Sequence, residues 1–156
     1  MGRIYNLPIA RTAVTAAVDI IEIVTAASHI CLIHSIELTQ STEFGDAAEE
    51  QLQLSWKSGQ TTGGSGGGTG ITPVPILPGD SAHGMTVENF NTTKATGGTI
   101  VTHKVWDWNV RVPFIYIFTP ETRLVIPPGI RATFELVAAP TDSVTMGGQI
   151  CLEIIG

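Results

Sequence analysis

Apolar and polar residues alternate with a period of two along most of this chain, and no long stretch carries the 3.6-residue period of a helix. The clearest case is EQLQLSWK, where Leu52, Leu54 and Trp56 fall on one face and Gln51, Gln53 and Ser55 on the other. Residues 29–40 alternate as well, with Ile30, Leu32, Ile36 and Leu38 on one face and Cys31, Ile33, Ser35 and Glu37 on the other. Both of these faces are partly apolar, the pattern of a central sandwich strand or an interface strand. Residues 14–25 form an apolar run rich in β-branched side chains, which favour strands. Further strands are predicted over 98–110, where Ile100, Trp106, Trp108 and Val110 share a parity, and over 112–118, apolar on both faces. Residues 123–137 read as two strands about a Pro128-Gly129 turn, and 149–155 as a last strand. Eight or nine strands with turn signals between them predict an all-β chain: an antiparallel β-sandwich, jelly-roll-like, of about eight strands.

Two segments fall outside the alternation. Residues 1–12 carry Tyr5, Leu7 and Ile9 on alternate positions but are interrupted by Pro8, and read as an extended N-terminal arm or an edge strand. The rest, 13–156, reads as one domain, as the length favours. Within it, SGQTTGGSGGGTGIT at 58–72 has the composition of a flexible, solvent-facing loop.

Composition sharpens this picture. Only 14% of the 156 residues are charged and there are three lysines, Lys57, Lys94 and Lys104; mean hydropathy is +0.25. Ordinary domains carry roughly 25% charged residues, and β proteins normally use charge, lysine above all, to keep exposed edges apart. A β domain so depleted is expected to cover much of its surface with copies of itself or a larger partner. The net charge of −6 and the scattered basic residues argue against nucleic acid and anionic membranes as partners. No apolar run approaches a membrane span, and Arg11 and Asp19 interrupt what would be a signal-peptide core.

The candidates for chemistry are weak. His29 and His34 are five apart on a strand and point to opposite faces, so they cannot clamp one ion without a bulge between them. His83 and His103 add no ligand spacing. Gly63-Gly64-Ser65-Gly66-Gly67 matches the letters of a nucleophile elbow without the strand and helix that elbow needs. Glu43, Asp46, Glu49 and Glu50 lie in an acidic loop without Ca²⁺-loop spacing. Cys31 and Cys151 read as packed thiols in strands, and the Asn91-Thr92-Thr93 sequon has no secretory context. No catalytic residue, cofactor or metal is expected. Trp106 and Trp108 share a face and are the best candidates for an interface, or for stacking sugar rings.

Three stretches, IHSIELTQSTEFGDAAEEQLQLSWKSG at 33–59, TPVPILPGD after the glycine run, and VIPPGIRATFELVAAPTD with GGQICLEIIG at the end, resemble the small jelly-roll decoration or cement proteins of tailed-phage capsids. The resemblance implies a homotrimer that binds the major capsid protein on the outside of the virion, made in the bacterial host cytoplasm, with no catalysis. Tyr5, Leu7, Ile9, Ile33, Trp106 and Trp108 are the residues expected at its interfaces. A carbohydrate- or receptor-binding sandwich with exposed tryptophans, another head or tail subunit, and an enzyme on a jelly-roll scaffold are the rival readings.

Overall fold

The computed structural model describes residues 2–43, 49–81 and 83–156; Asp46 of the acidic loop lies outside them. They form twelve strands: β1 (Arg3–Val14), β2 (Asp19–Thr25), β3 (Ile30–Gln40), β4 (Gln51–Ser58), β5 (Gly68–Thr69), β6 (Val74–Pro75), β7 (Met85–Asn91), β8 (Val101–Asn109), β9 (Phe114–Ile117), β10 (Leu124–Ile126), β11 (Arg131–Leu136) and β12 (Val144–Ile155). One sheet, A, runs β10-β3-β12-β1-β6, with β9 on the same edge of β3 as β10; the other, B, runs β5-β7-β2-β11-β4-β8. Every pairing is antiparallel.

The pairings nest from the outside of the chain inward. β1 pairs β12, β2 pairs β11, β3 pairs β9 and β10, and β4 pairs β8. A long hairpin rolled up on itself has this nesting, and it defines a jelly roll of eight principal strands. The segment between β4 and β8 adds β5 and β7 to one sheet and β6 to the other.

Inner faces supply the core: Leu7, Ile33, Ile36 and Leu38 from sheet A meet Leu54, Trp56, Phe134 and Leu136 from sheet B, all at most 1% exposed. Each such side chain contributes about 1.5–3 kcal/mol by leaving water. Aromatic rings close the side of the sandwich where β8 and β9 lie. Trp106 meets Phe114, Tyr116, Phe118 and Phe134 at centroid distances of 5.3–6.5 Å, all edge-on.

The structure corrects three expectations. Residues 3–14 are not a projecting arm. They are β1, hydrogen-bonded along β12 on one side and to β6 on the other, with Tyr5, Leu7 and Ile9 buried in the chain's own core. The period of β3 is not continuous either: Ser35 faces Cys151 and Ile33 faces Leu152, so His34 is an extra residue in a bulge. The bulge flips the parity. Cys31 and Ile33 therefore point inward together with Ile36 and Leu38, while Ile30, Leu32 and Glu37 lie outside. Finally, the glycine-rich tract is not a loose loop, as its contacts below show.

Candidate functional site

The outer face of sheet A is the surface that lacks an explanation within the monomer. Its rows follow from register: Ile117, Ser35, Cys151, Asn6 and Val74 lie side by side, as do Ile115, Glu37, Gln149 and Pro8, and Val125, Leu32, Glu153 and Ile4. Ile117 is 75% exposed, Ile115 61% and Val125 50%. Ile30 and Ile155 pair at its end, both partly exposed. None of β3, β9, β10 or β12 contains a lysine or arginine, and the two arginines of this sheet, Arg3 and Arg11, both lie on β1. Two polar pairs on this face are mutual: Gln149 Nε2 donates to Glu37 Oε2 at 3.0 Å, and His34 Nε2 lies 3.0 Å from Glu153 Oε2. Exposed aliphatic side chains gathered on β9 and β10, beside strands without a lysine or arginine, mark this side of the face as a candidate for a covered surface.

Sheet B solves its outer face differently. Here the outward positions are polar, and the chain roofs them over with residues 59–70 and 92–98. Gly64 N–H donates to Glu22 Oε2 at 2.9 Å, and Ser65 and Thr93 exchange backbone hydrogen bonds, as do Thr62 and Thr96. Glycine is required by closeness: a Cβ at Gly67 would land on the carbonyl oxygen of Asn89, and one at Gly64 would lie 2.7 Å from Thr93 O.

Under this roof lie Asp19, Glu22, Asn91, Thr133 and Glu135, all at most 4% exposed. Each has partners. Arg131 Nε donates to Glu22 Oε1 at 2.6 Å, and Gln60 Nε2 to Thr133 Oγ1 at 2.9 Å. Glu135 accepts from Ser55 Oγ at 2.6 Å and from Lys94 Nζ at 3.2 Å, and pairs with Lys57. Lys94 also caps the carbonyls of Leu136 and Val137. Asn91 donates to Glu22 and Glu88, so the sequon asparagine is buried and engaged.

Burial pushes the Asp19 carboxyl up to about 6, against the pull of the Ala95 N–H 2.7 Å away, with neighbouring Glu135 pushing the same way. Burial also pushes Glu135 upward, but Lys57, Ser55 and Lys94 together outweigh it and hold the group below its ordinary value. The two carboxylates therefore act on stability in opposite senses. Asp19 binds its proton more tightly in the folded chain than in the unfolded one, so its contribution is full below 3.8 and is lost as pH rises through about 6. Acidifying from about pH 7 to about pH 5 should accordingly raise unfolding stability by roughly 1 kcal/mol. Below the ordinary carboxylate range the Glu135 contribution is lost and the trend reverses. Urea unfolding across this range checks it: Asp19→Asn, which can still accept the Ala95 N–H, should flatten the upper limb, and an unchanged limb would remove Asp19 as its source.

The residues expected at interfaces are mostly not available for one. Tyr5, Leu7, Ile9, Ile33 and Trp108 are each at most 3% exposed within the monomer. Trp108 Nε1 donates to Val112 O at 2.7 Å. Trp106 is half-buried, ringed by the aromatic cluster. The two indoles therefore form no open platform for a sugar ring. The residues that pattern reading missed are Ile115, Ile117 and Val125. The signal for Ile115 and Ile117 was present in VPFIYIF, apolar on both faces, and that for Val125 in the apolar run of 124–126, but only the sheet assigns which side is outer.

Cys31 faces the core, its thiol pushed up to about 12 by burial, while Cys151 sits half-buried on the outer face of sheet A, raised by burial and by Glu37. Facing opposite sides of the sheet, the two do not bond. Among the described residues no three His, Cys, Asp or Glu side chains come together to hold a metal ion.

The class these features define is a jelly-roll β-sandwich with one roofed polar face and one uncovered face that exposes aliphatic side chains along β9 and β10. Comparison of the chain with protein-family models, curated proteins and solved structures found no match.

Proposed function

We propose that this protein is a structural subunit of a tailed-phage particle that attaches to the capsid shell as a decoration or cement protein and performs no catalysis. The observation that carries the assembly part is the outer face of sheet A, where Ile115, Ile117 and Val125 stand exposed on strands that have no lysine or arginine. Obligate interfaces are more apolar than ordinary surface, and such a face leaves water when it meets a protein shell. The choice of particle rests on the resemblance carried by residues 33–59, 72–80 and the C-terminal strands, and the jelly-roll topology is in keeping with it. Individually weak contacts suffice, because many copies on one lattice hold it together multivalently.

The test is retention on phage capsids stripped of accessory proteins. The double variant Ile115→Glu/Ile117→Glu should fold normally, since exposed substitutions shift stability by only about 0.5 kcal/mol, yet bind capsids at least about tenfold more weakly. Undiminished binding by the folded variant would sink the assignment of this face. Glycan binding by the wild type in place of capsid binding would favour the receptor-binding reading.

A further inference from the structure

The four sheet edges are not alike. β5 and β6 are two residues long, and β9 and β10 are four and three. Such short strands blunt an edge against pairing. β8 is nine residues long, ends sheet B, and among the described residues pairs with β4 alone.

Its free side can be read from the ladder. Val110 N–H donates to Glu50 O. In an antiparallel pair the bonded residues alternate, so Trp108, Trp106 and Lys104 also turn their backbone groups toward β4. Val105 and Asp107 therefore turn theirs outward. Val105 is itself 53% exposed, and no described hydrogen bond or ion pair engages Asp107.

We infer that β8 pairs antiparallel with β8 of a second copy about a two-fold axis at Val105, joining two B sheets into one. Side-chain chemistry selects this register. Centring on Val105 places Lys104 of each copy opposite the half-buried Trp106 of the other, and brings His103, the extra residue where β8 bulges against β4, to the level of Asp107 of the other. His103 Nε2 is engaged with Ser58 Oγ at 2.7 Å, which leaves Nδ1 for the carboxylate. Centring on Lys104 would oppose two lysines, and centring on Asp107 two carboxylates; like charges directly opposite are destabilising. Centring on Trp106 opposes no like charges but forms neither His–Asp pair. The contact is isologous, one patch meeting itself, whereas the threefold assembly implied by the sequence resemblance would need two different patches. It uses a different surface from the proposed shell attachment, so either can fail without the other.

Light scattering on a sizing column, over a wide range of protein concentration, reads the result directly. The full chain should approach twice its 16.5 kDa mass. Val105→Pro removes an N–H that points away from β4, a position where proline is tolerated in a strand, and should leave a folded monomer. Asp107→Lys should do the same by placing a cation opposite His103, and adding His103→Glu should restore the dimer by exchanging the charges. A wild type that stays monomeric at every concentration, or an oligomer whose mass is indifferent to Val105→Pro, would overturn the inference. Should the proline variant fail to fold, Val105→Cys in a Cys151→Ser background decides. The bonded pair brings the two Cα atoms to about 5.5 Å, within disulfide reach. Mild oxidation should then cross-link a dimer, and the absence of a cross-link would equally overturn the pairing.

Discussion

Glu135→Ala should destabilise the protein by about 3 kcal/mol, the largest loss expected from any single polar side chain here. The carboxylate lies almost wholly buried between Lys57 and Lys94 and accepts the Ser55 hydroxyl. Removing it leaves two cations beneath the roof and a buried hydroxyl without its acceptor. Both lysines keep about a quarter of their side chains in water, which holds the figure at the lower end for a broken buried pair. Glu135→Gln keeps an acceptor for Ser55 and should lose about half as much. Urea unfolding at neutral pH measures both. In a double-mutant cycle, Lys94→Met should recover part of the loss, since the two residues share one network. A Glu135→Ala protein within about 0.5 kcal/mol of wild type would mean that solvent already screens the cluster.

Gly67→Ala is the second large effect, and it separates two pictures of the glycine tract. A flexible loop would accept the methyl with almost no change. In the folded chain that methyl collides with the carbonyl oxygen of Asn89 and lies 2.7 Å from Asn91 Oδ1. The expected loss is about 3 kcal/mol, the upper end of what an inserted group costs in a packed site. Gly70→Ala is the control. Nothing lies within 4 Å of that position, and only its left-handed backbone, φ +68°, opposes a side chain, so the loss should be about 1 kcal/mol. Equal and small effects at both positions would return the tract to the flexible reading. Hydrogen exchange offers a second check: the amides of Thr62, Gly64 and Ser65, which donate to Thr96, Glu22 and Thr93, should be slower than that of Gly70.

Both experiments bear on the division of labour between the two sheets. Sheet B covers its outer face with the chain's own glycine-rich segment, anchored on buried carboxylates. Sheet A leaves its outer face uncovered, with Ile115, Ile117 and Val125 exposed on β9 and β10, strands that carry no charge. This asymmetry is the physical basis for proposing sheet A as the shell-facing side, and the long edge of β8 is the separate surface through which we infer that a second copy pairs.

The local pattern alone determined the all-β class, the strands β3, β4, β8, β9, β10 and β11 to within a few residues, the C-terminal part of β12 (149–155 of Val144–Ile155), and the Pro128-Gly129 turn between β10 and β11. Period-two alternation and turn chemistry are properties of neighbouring residues, so a sequence carries them openly. It also carried the charge depletion that points to a covered surface. β7 (Met85–Asn91) was not read from the sequence. Tertiary structure decided the rest. Residues 3–14 became a core strand because β12, more than a hundred residues away, supplies their hydrogen-bond partners. The inward set of β3 changed parity at His34 because β12 pairs with it through a bulge. The glycine tract took its place because backbone groups of the 92–98 segment and the Glu22 carboxylate bind it. These are long-range pairings, and no local pattern encodes which distant strand will supply the partner, or which of two apolar faces will be left for another molecule.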